Sequence, residues 1–473
     1  MTMAPEGSGL LALARREWRR TRSALSDPAS LSRRAASMGV WRFGGVGAQQ
    51  AIRLAGNLLM TRLLVPEAFG LVAVVASLQA GLVMMTDVGV QQSVIRSAKG
   101  EDARFLRTAW TFNLLKFLLV ALGMTLLGAV VMAAQQAFDL GDTIYADSVL
   151  GPLLMAWSLT LASRGFISIN VKLAERRLAV GRVVLLELFE KALSVAAMIA
   201  FALVEPSVWA LFWGALIGTA AHAALSHVVL PGPRMGFLLD RAHAAEIWRF
   251  GKWLIGSSIF GFLARQGDRF ILGALLAPAD FGLYAVARLW IDAAGDAILK
   301  ITGPLNYAAI GEVSRRERGG LAGAFAKLRI IQFLICLAPF AGVVLLGREA
   351  IDLLYAPDYH KVGFYLTLLA PLPLLYMYLP LHFLILNWGD SRMIATVSAL
   401  RFAAIATALP LAYHLFGVAG AVLAAALNNA WGAPRQIALG ARLTPMSRRR
   451  ELATLAAVVA GGGAVAWLAA HHA

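Results

Sequence analysis

Apolar runs of about 20 residues follow one another along almost the whole chain, a length that matches the hydrocarbon core of a bilayer. In that environment every backbone polar group must be satisfied within the protein, so such runs become helices. Of the 473 residues, 59% are apolar and only 15% are charged. A soluble globular protein carries about 45–50% apolar and about 25% charged residues. The alternating ten-residue segments of an outer-membrane barrel are not seen. The fold class read from the sequence is therefore all-α, a polytopic membrane protein. Spans are expected near 40–62, 68–94, 106–133, 146–169, 180–203, 207–230, 249–276, 281–304, 323–347, 362–387, 393–416, 417–438 and 452–470. Ahead of them, residues 1–37 form a basic extension. In it Leu10, Leu11, Leu13, Trp18 and Leu25 are set among Arg15, Arg16, Arg19, Arg20 and Arg22. Both a helix lying on an anionic membrane surface and a charged tail fit that stretch.

The chain also repeats itself. Trp41-Arg-Phe-Gly44 recurs as Trp248-Arg-Phe-Gly251. Leu63-Leu-Val-Pro-Glu-Ala-Phe-Gly-Leu-Val-Ala-Val74 recurs as Leu275-Leu-Ala-Pro-Ala-Asp-Phe-Gly-Leu-Tyr-Ala-Val286. The matches lie 207 and 212 residues apart, a period that means two copies of a large unit. The copies begin at spans 1 and 7; six is even, so both enter the membrane from the same side. Two parallel six-helix lobes around a central cavity are expected, at 38–230 and 249–440, joined by a linker at 231–248. A basic loop and an additional C-terminal transmembrane helix fill 441–473.

The formal charge of +16 would point a soluble protein toward nucleic acid. Here its distribution argues otherwise. Lys and Arg crowd the segments on one side, including Arg315, Arg316, Arg318 and Arg448, Arg449, Arg450, while the opposite loops hold only Arg62, Arg348 and Lys361. That is the positive-inside pattern, and it places the N-terminus in the cytoplasm. Nucleic acid is not an expected partner. The single cysteine, Cys336, supports neither an intrachain disulfide nor a multi-cysteine metal site.

Charges inside the apolar spans mark the candidate site, because each Arg near mid-membrane costs roughly 2.5–3.5 kcal/mol on insertion scales. Span 1 carries Gln49, Arg53, Asn57 and Thr61 at four-residue spacing, hence on one helix face. Arg53 aligns with Arg265 in the repeat, and Asn57 with Arg269. Arg53 and Arg265 each lie 13 residues before their matched prolines, Pro66 and Pro278, or about 20 Å along a helix. A cationic cavity for a phosphate group is the functional reading, since a guanidinium grips phosphate with two parallel hydrogen bonds. For Asp268 the alternative is structural: it pairs with Arg265 or Arg269 and pins span 7 to a neighbour. Span 8 sets Arg288, Asp292, Asp296 and Lys300 at four-residue spacing. Two adjacent acids there fit a proton or cation relay, and a neutralised ladder between helices fits equally. Glu187, Glu190 and Lys191 in span 5 read as a structural pair, and His222 and His227 as packed residues. Arg164, Arg401 and Lys116 either snorkel or line the cavity. Pro371, Pro373 and Pro380 predict a broken span 10 around Tyr376, Tyr378 and His382. Neither catalytic residues nor a cofactor is expected, because H-E-x-x-H, Walker and G-x-S-x-G signatures are missing from the sequence.

Several motifs in order carry a resemblance. They are Arg62-Leu-Leu-Val-Pro-Glu-Ala-Phe-Gly70, Asp87-Val-Gly89 with Ile95-Arg96, Glu175-Arg-Arg-Leu-Ala179, Gly267-Asp-Arg-Phe-Ile-Leu-Gly273 and Pro278-Ala-Asp-Phe-Gly282. Over about residues 38–440 the chain resembles the polysaccharide transporter family, the O-antigen and exopolysaccharide flippases of the multidrug/oligosaccharidyl-lipid/polysaccharide superfamily. The resemblance implies flipping of an undecaprenyl-diphosphate-linked oligosaccharide across the bacterial inner membrane, by alternating access and without catalysis. On that reading Arg53, Arg265 and Arg269, with Gln49 and Asn57, hold the diphosphate. Asp292 and Asp296, with Arg288, Lys300 and Asp268, serve coupling to H+ or Na+ or gating. Membrane lipids, a polysaccharide polymerase and assembly proteins are the implied partners. A drug/cation antiporter, a lipid II flippase and a membrane polymerase or ligase remain alternatives. Many members of the family have fourteen spans, the last pair forming a groove for the lipid tail, and thirteen are read here.

Overall fold

A computed structural model describes residues 28–315, 321–387, 391–443 and 447–471. The basic stretch at 10–25, Arg316 and Arg318 lie outside the described residues. In chain order the helices are α1 (Pro28–Met60), α2 (Pro66–Met85), α3 (Val90–Arg96), α4 (Ala103–Ala137), α5 (Leu150–Gly165), α6 (Asn170–Arg176), α7 (Gly181–Val204) and α8 (Val208–Val229). They continue as α9 (Arg241–Leu275), α10 (Pro278–Arg315), α11 (Leu321–Leu354), α12 (Lys361–Leu369), α13 (Pro371–Leu374), α14 (Leu379–Asn387), α15 (Ser391–Ala426), α16 (Asn428–Leu443) and α17 (Arg448–His471). No strand occurs among the described residues. The protein is an all-helical, multi-pass membrane protein.

Helix boundaries follow local chemistry. Asp102 caps α4 by accepting the Arg104 N–H at 3.1 Å, and Asp240 caps α9 by accepting from Ala242 and His243 at 3.0 and 3.2 Å. Pro66 and Pro278 open α2 and α10, where a missing N–H costs nothing. Span 10 is interrupted where its prolines predict, passing through α12, α13, a 3-10 turn at Leu375–Tyr378 and then α14. The expected boundary between spans 11 and 12 is also real: α15 breaks at Gly417, whose φ is +63°. Span 4 departs from expectation. It was read as one helix to residue 169, but α5 stops at Gly165 and the chain turns by 52° into the short α6. The backbone of that turn is held from outside, Ser168 N–H donating to Ser226 Oγ at 2.9 Å.

Among the described residues seven helices are long and apolar enough to cross a bilayer on their own, eight if the bent pair counts as one span. Thirteen runs were expected. One of the seven, Thr396–Arg442, contains two of them, divided at Gly417. Outside this set are the short α3 and the long α1, α7, α9 and α10, which carry charges within their length. A charged helix enters a bilayer only if its charges meet protein or water, so the charged faces of these four have to be turned away from lipid.

Packing agrees. Helix α1 lies on α7, α7 on α8 and α4 on α5, while α9 packs on α15, and α10 on α12 and α11. Helix α2 runs against both α9 and α10 and so ties the two halves of the sequence together. The outer α4 buries Phe105, Leu106, Ala109, Leu114, Phe117, Val120, Ala121 and Met124 and exposes Leu115, Leu118, Leu119, Leu122 and Leu126. Those exposed leucines form a surface suited to lipid.

The two copies of the repeated motif meet each other. A Cβ on Gly70 would lie 3.2 Å from the Phe281 ring and 3.3 Å from Gly282 N, and a Cβ on Gly282 would overlap the Pro66 carbonyl. Around this crossing Asn57 donates to Tyr355 Oη at 3.0 Å, Trp290 donates to the same oxygen at 2.7 Å, and Tyr359 donates to the Leu64 carbonyl at 2.6 Å. The bundle is closed at this proline end.

At the opposite, basic end the family-like motifs form a clasp. Gly89 adopts φ 64° to start α3, and Asp87 accepts its N–H at 3.2 Å and the Lys116 ammonium at 3.0 Å. Arg176 donates to the carbonyls of Val94, Ile95 and Ser97 at 3.0, 2.9 and 2.6 Å, closing the C-terminus of α3. Arg177 pairs with Glu101 at 2.7 Å, and Glu175 takes Arg42 of α1.

Candidate functional site

Span 1 separates its polar stripe into three environments. Gln49 donates to Glu187 of α7 at 2.9 Å, and Asn57 is engaged at the proline end with Tyr355. Between them Arg53 is partly buried, and its Nε and Nη2 are buried with no hydrogen-bond partner. An unpaired buried guanidinium nitrogen forfeits interactions worth about 1–3 kcal/mol or more. Glu187 turns to Arg42 and Gln49, while Lys191 lies 3.6 Å from Glu190. The i,i+4 Glu187–Lys191 pair expected from spacing is not formed.

The second half holds a charged network between α9 and α10. Asp268 is fully buried and pairs with Arg288 at 2.6 Å and with the Tyr284 hydroxyl at 2.8 Å. This corrects the expected partners: neither Arg265 nor Arg269 reaches it. The reason is helical geometry: Asp268 and Arg269 both reach α10, but one residue apart they meet it at different side chains, Asp268 at Arg288 and Arg269 at Asp292. Arg269 instead contacts Gln266 and Asp292. Arg288 also holds Asp292 through Nε at 2.9 Å. Half of the span 8 ladder therefore exists, as Arg288–Asp292. The other half does not: Asp296 and Lys300 are exposed and make no ion pair with each other among the described residues.

Beside this network lie cations with no carboxylate partner among the described residues. Arg265 donates to Met84 Sδ of α2 at 2.9 Å. Arg401 donates twice to Asn428 Oδ1, at 3.2 Å each, and Asn428 passes the chain on to the Ala264 carbonyl at 2.7 Å. Arg401 lies within electrostatic reach of Arg265, Arg288, Asp268 and Tyr376, and His382 within reach of Arg401 and Arg265. Arg269 and Arg288 balance Asp268 and Asp292, whereas the partly buried Arg53 and Arg401 and the exposed Arg265 have no carboxylate partner among the described residues. No direct contact joins Arg53 to Arg265. No group of His, Cys, Asp and Glu suited to a metal ion occurs among the described residues.

Sequence reasoning passed over Tyr284, Asn428, Tyr355 and Trp290. For Tyr284 a signal existed. Asp268, Tyr284 and Arg288 align with Gly56, Val72 and Ala76 in the first copy, so three separate departures from the repeat are one contact. Asn428 had no such signal, because its role depends on the break in α15.

The fold and its charged residues define a multi-pass helical membrane protein. In solved structures it is similar to an inward-facing multidrug resistance MATE family transporter of the MOP superfamily. That match has a TM-score of 0.64 at 16% identity and covers 85% of this chain and 99% of that one. It is also similar to the lipid II flippase MurJ in an inward closed conformation, with a TM-score of 0.65 at 10% identity, covering 92% and 97%. The profile of the family described as polysaccharide biosynthesis protein matches residues 59–363. The chain belongs to this polysaccharide biosynthesis protein family. Among characterised relatives, the succinoglycan biosynthesis transport protein ExoT of Rhizobium meliloti (strain 1021) is 23% identical over 265 residues. That match covers 55% of this chain, and the chain spans about half the length of that relative. Family and fold together support a transport role.

Proposed function

We propose that the protein is a flippase for an undecaprenyl-diphosphate-linked oligosaccharide, working by alternating access and coupled to an ion gradient. The observation that carries this reading is Arg53: a guanidinium within a membrane helix, with buried nitrogens that no protein group satisfies. A diphosphate supplies the missing acceptors, and Arg265 and Arg401, which also lack carboxylate partners, add positive charge for the same anion. Arg269 is the least available, being engaged by Asp292. The sugar travels through the polar interior between the halves while the lipid tail stays in the bilayer. Rocking of the two halves about α2 moves the site from the cytoplasmic to the periplasmic face, in the orientation that the basic segments favour. The proline-end closure then belongs to the state open to the cytoplasm.

The test is surface polysaccharide in cells carrying R53E and R265E. Both variants are expected to insert normally and to export no polymer; normal polymer would sink the assignment. A lipid II flippase fits the same cations, and complementation of a peptidoglycan-precursor defect separates it. A drug/cation antiporter is disfavoured by the excess of arginine.

A further inference from the structure

Between α7 and α8 lies a buried acid–imidazole pair to which lipid-diphosphate binding assigns no task. Glu190 Oε2 meets His222 Nδ1 in close contact, with the side chains only 14% and 7% exposed. The second ring nitrogen, His222 Nε2, is buried and has no hydrogen-bond partner. The ion pairs of α9 and α10 draw their positive charge from Arg, which stays charged at any physiological pH. An imidazole does not. Gain or loss of one proton at the imidazole therefore changes the charge at this pair and leaves the arginine pairs as they are.

The neighbours make that change consequential. On α7 itself, Lys191 is 3.6 Å from Glu190 and Glu187 lies one turn away. Arg164 of α5 acts on Glu190 through space. From α1, Arg42 and Gln49 go to Glu187, and Arg53 lies one turn beyond Gln49. From α6, Lys172 and Glu175 pair with each other and Arg176 is taken up by backbone carbonyls. Within α8, His227 bonds the Phe166 carbonyl at 2.7 Å. Helix α2 has no charged residue after Glu67.

We propose that Glu190 and His222 form the proton-binding site that couples flipping to a proton gradient, with His222 Nε2 the atom that gains and loses the proton. The proposal rests on the transport reading above. A proton from water binds the Nε2 lone pair, Nδ1–H keeps its bond to the Glu190 carboxylate, and the pair passes from net −1 to neutral. A protonated Nε2 needs an acceptor that the closed packing does not offer, so proton occupancy and conformation are linked. The link reaches Arg53 through α7. A Cβ on Gly56 of α1 would come within 2.6 Å of Val195 on α7, and Glu187 holds Arg42 and Gln49 of the same helix. Asp292, one of the two acids that spacing offered for coupling, is instead clamped between Arg269 and Arg288.

The experiment is 15N-histidine NMR of the full chain in nanodiscs, with the His222 signal assigned by H222Q. His222 is expected to change protonation state within the pH window over which the protein stays folded. Its midpoint should move when undecaprenyl diphosphate is added, and E190Q, an isosteric change, should displace the ligand-free midpoint. A His222 that does not titrate in that window overturns the proposal, as does a midpoint unchanged by bound undecaprenyl diphosphate. Calorimetry on the same nanodiscs keeps the two readings apart. If undecaprenyl diphosphate does not bind the wild type, the substrate reading fails. The ligand-free titration then judges the proton site alone, supporting it if His222 titrates and overturning it if not.

Discussion

Asp268 and Asp296 are both acids within the expected spans 7 and 8, yet their surroundings could hardly differ. Asp268 is fully buried and answered by Arg288 and Tyr284, whereas Asp296 is exposed. Removing one partner of a buried pair strands the other charge and costs about 3–5 kcal/mol. R288M should therefore lower the melting temperature of the purified protein sharply, and D268N/R288M should recover part of that loss. D296N should change stability by no more than about 0.5 kcal/mol. If D296N proves as harmful as R288M, the assignment of the buried pair is wrong. At this scale the sequence showed which residue types were out of place but not whom they touch. Spacing correctly paired Arg288 with Asp292, because an i,i+4 contact depends on one helix alone. It mispaired Asp268, because its partner comes from the next helix and depends on how α9 and α10 are rotated against each other.

Helices and their joins follow more directly from local chemistry. The break at Gly417 and the interruptions at Pro371 and Pro373 were readable, since a positive φ and a missing N–H act without tertiary help. The bend after Gly165 was not, because it depends on Ser226 of another helix. The crossing of α2 over α10 tests the closure at the proline end. G282V places side-chain atoms where the Pro66 carbonyl lies, so it should push the ends apart and favour the opposite opening. Hydrogen exchange at residues 62–70 should rise in this variant; unchanged protection would contradict the crossing. The basic-end clasp carries a pH dependence. The hydrogen bond from Arg177 holds the Glu101 carboxyl below the ordinary carboxylate range. Its contribution is present above that ordinary value and is lost as pH falls through the lowered one. Protection of the amides in the 97–102 loop, taken relative to the intrinsic rate at each pH, should fall on acidification through that range, and E101Q should show the low protection at every pH. An equal acid response in E101Q would remove the clasp from the account.

Across the whole molecule, the charged helices α9 and α10 are covered by the apolar α2, α11 and α15, and α7 by α8, whereas α1 packs on α7. The repeat leads to the expectation of two entries of the chain into the membrane from one side. The meeting of the two motif copies at Gly70 and Gly282 could not be read from either copy, since it arises only when the halves are assembled. Orientation is testable with a single added cysteine in a Cys336→Ser background. A membrane-impermeant maleimide should label position 140 in intact cells and leave position 99 untouched, and the reverse pattern would invert the topology. The proposal turns on the buried, unsatisfied Arg53 guanidinium receiving a lipid-linked diphosphate. Calorimetric affinity in nanodiscs tests it most directly, comparing undecaprenyl diphosphate with undecaprenol on the wild type and R53A. The account predicts that only the diphosphate binds and that R53A weakens it by about 10- to 100-fold, the equivalent of a charge-assisted hydrogen bond. Equal binding of undecaprenol, or an R53A affinity matching the wild type, would contradict it.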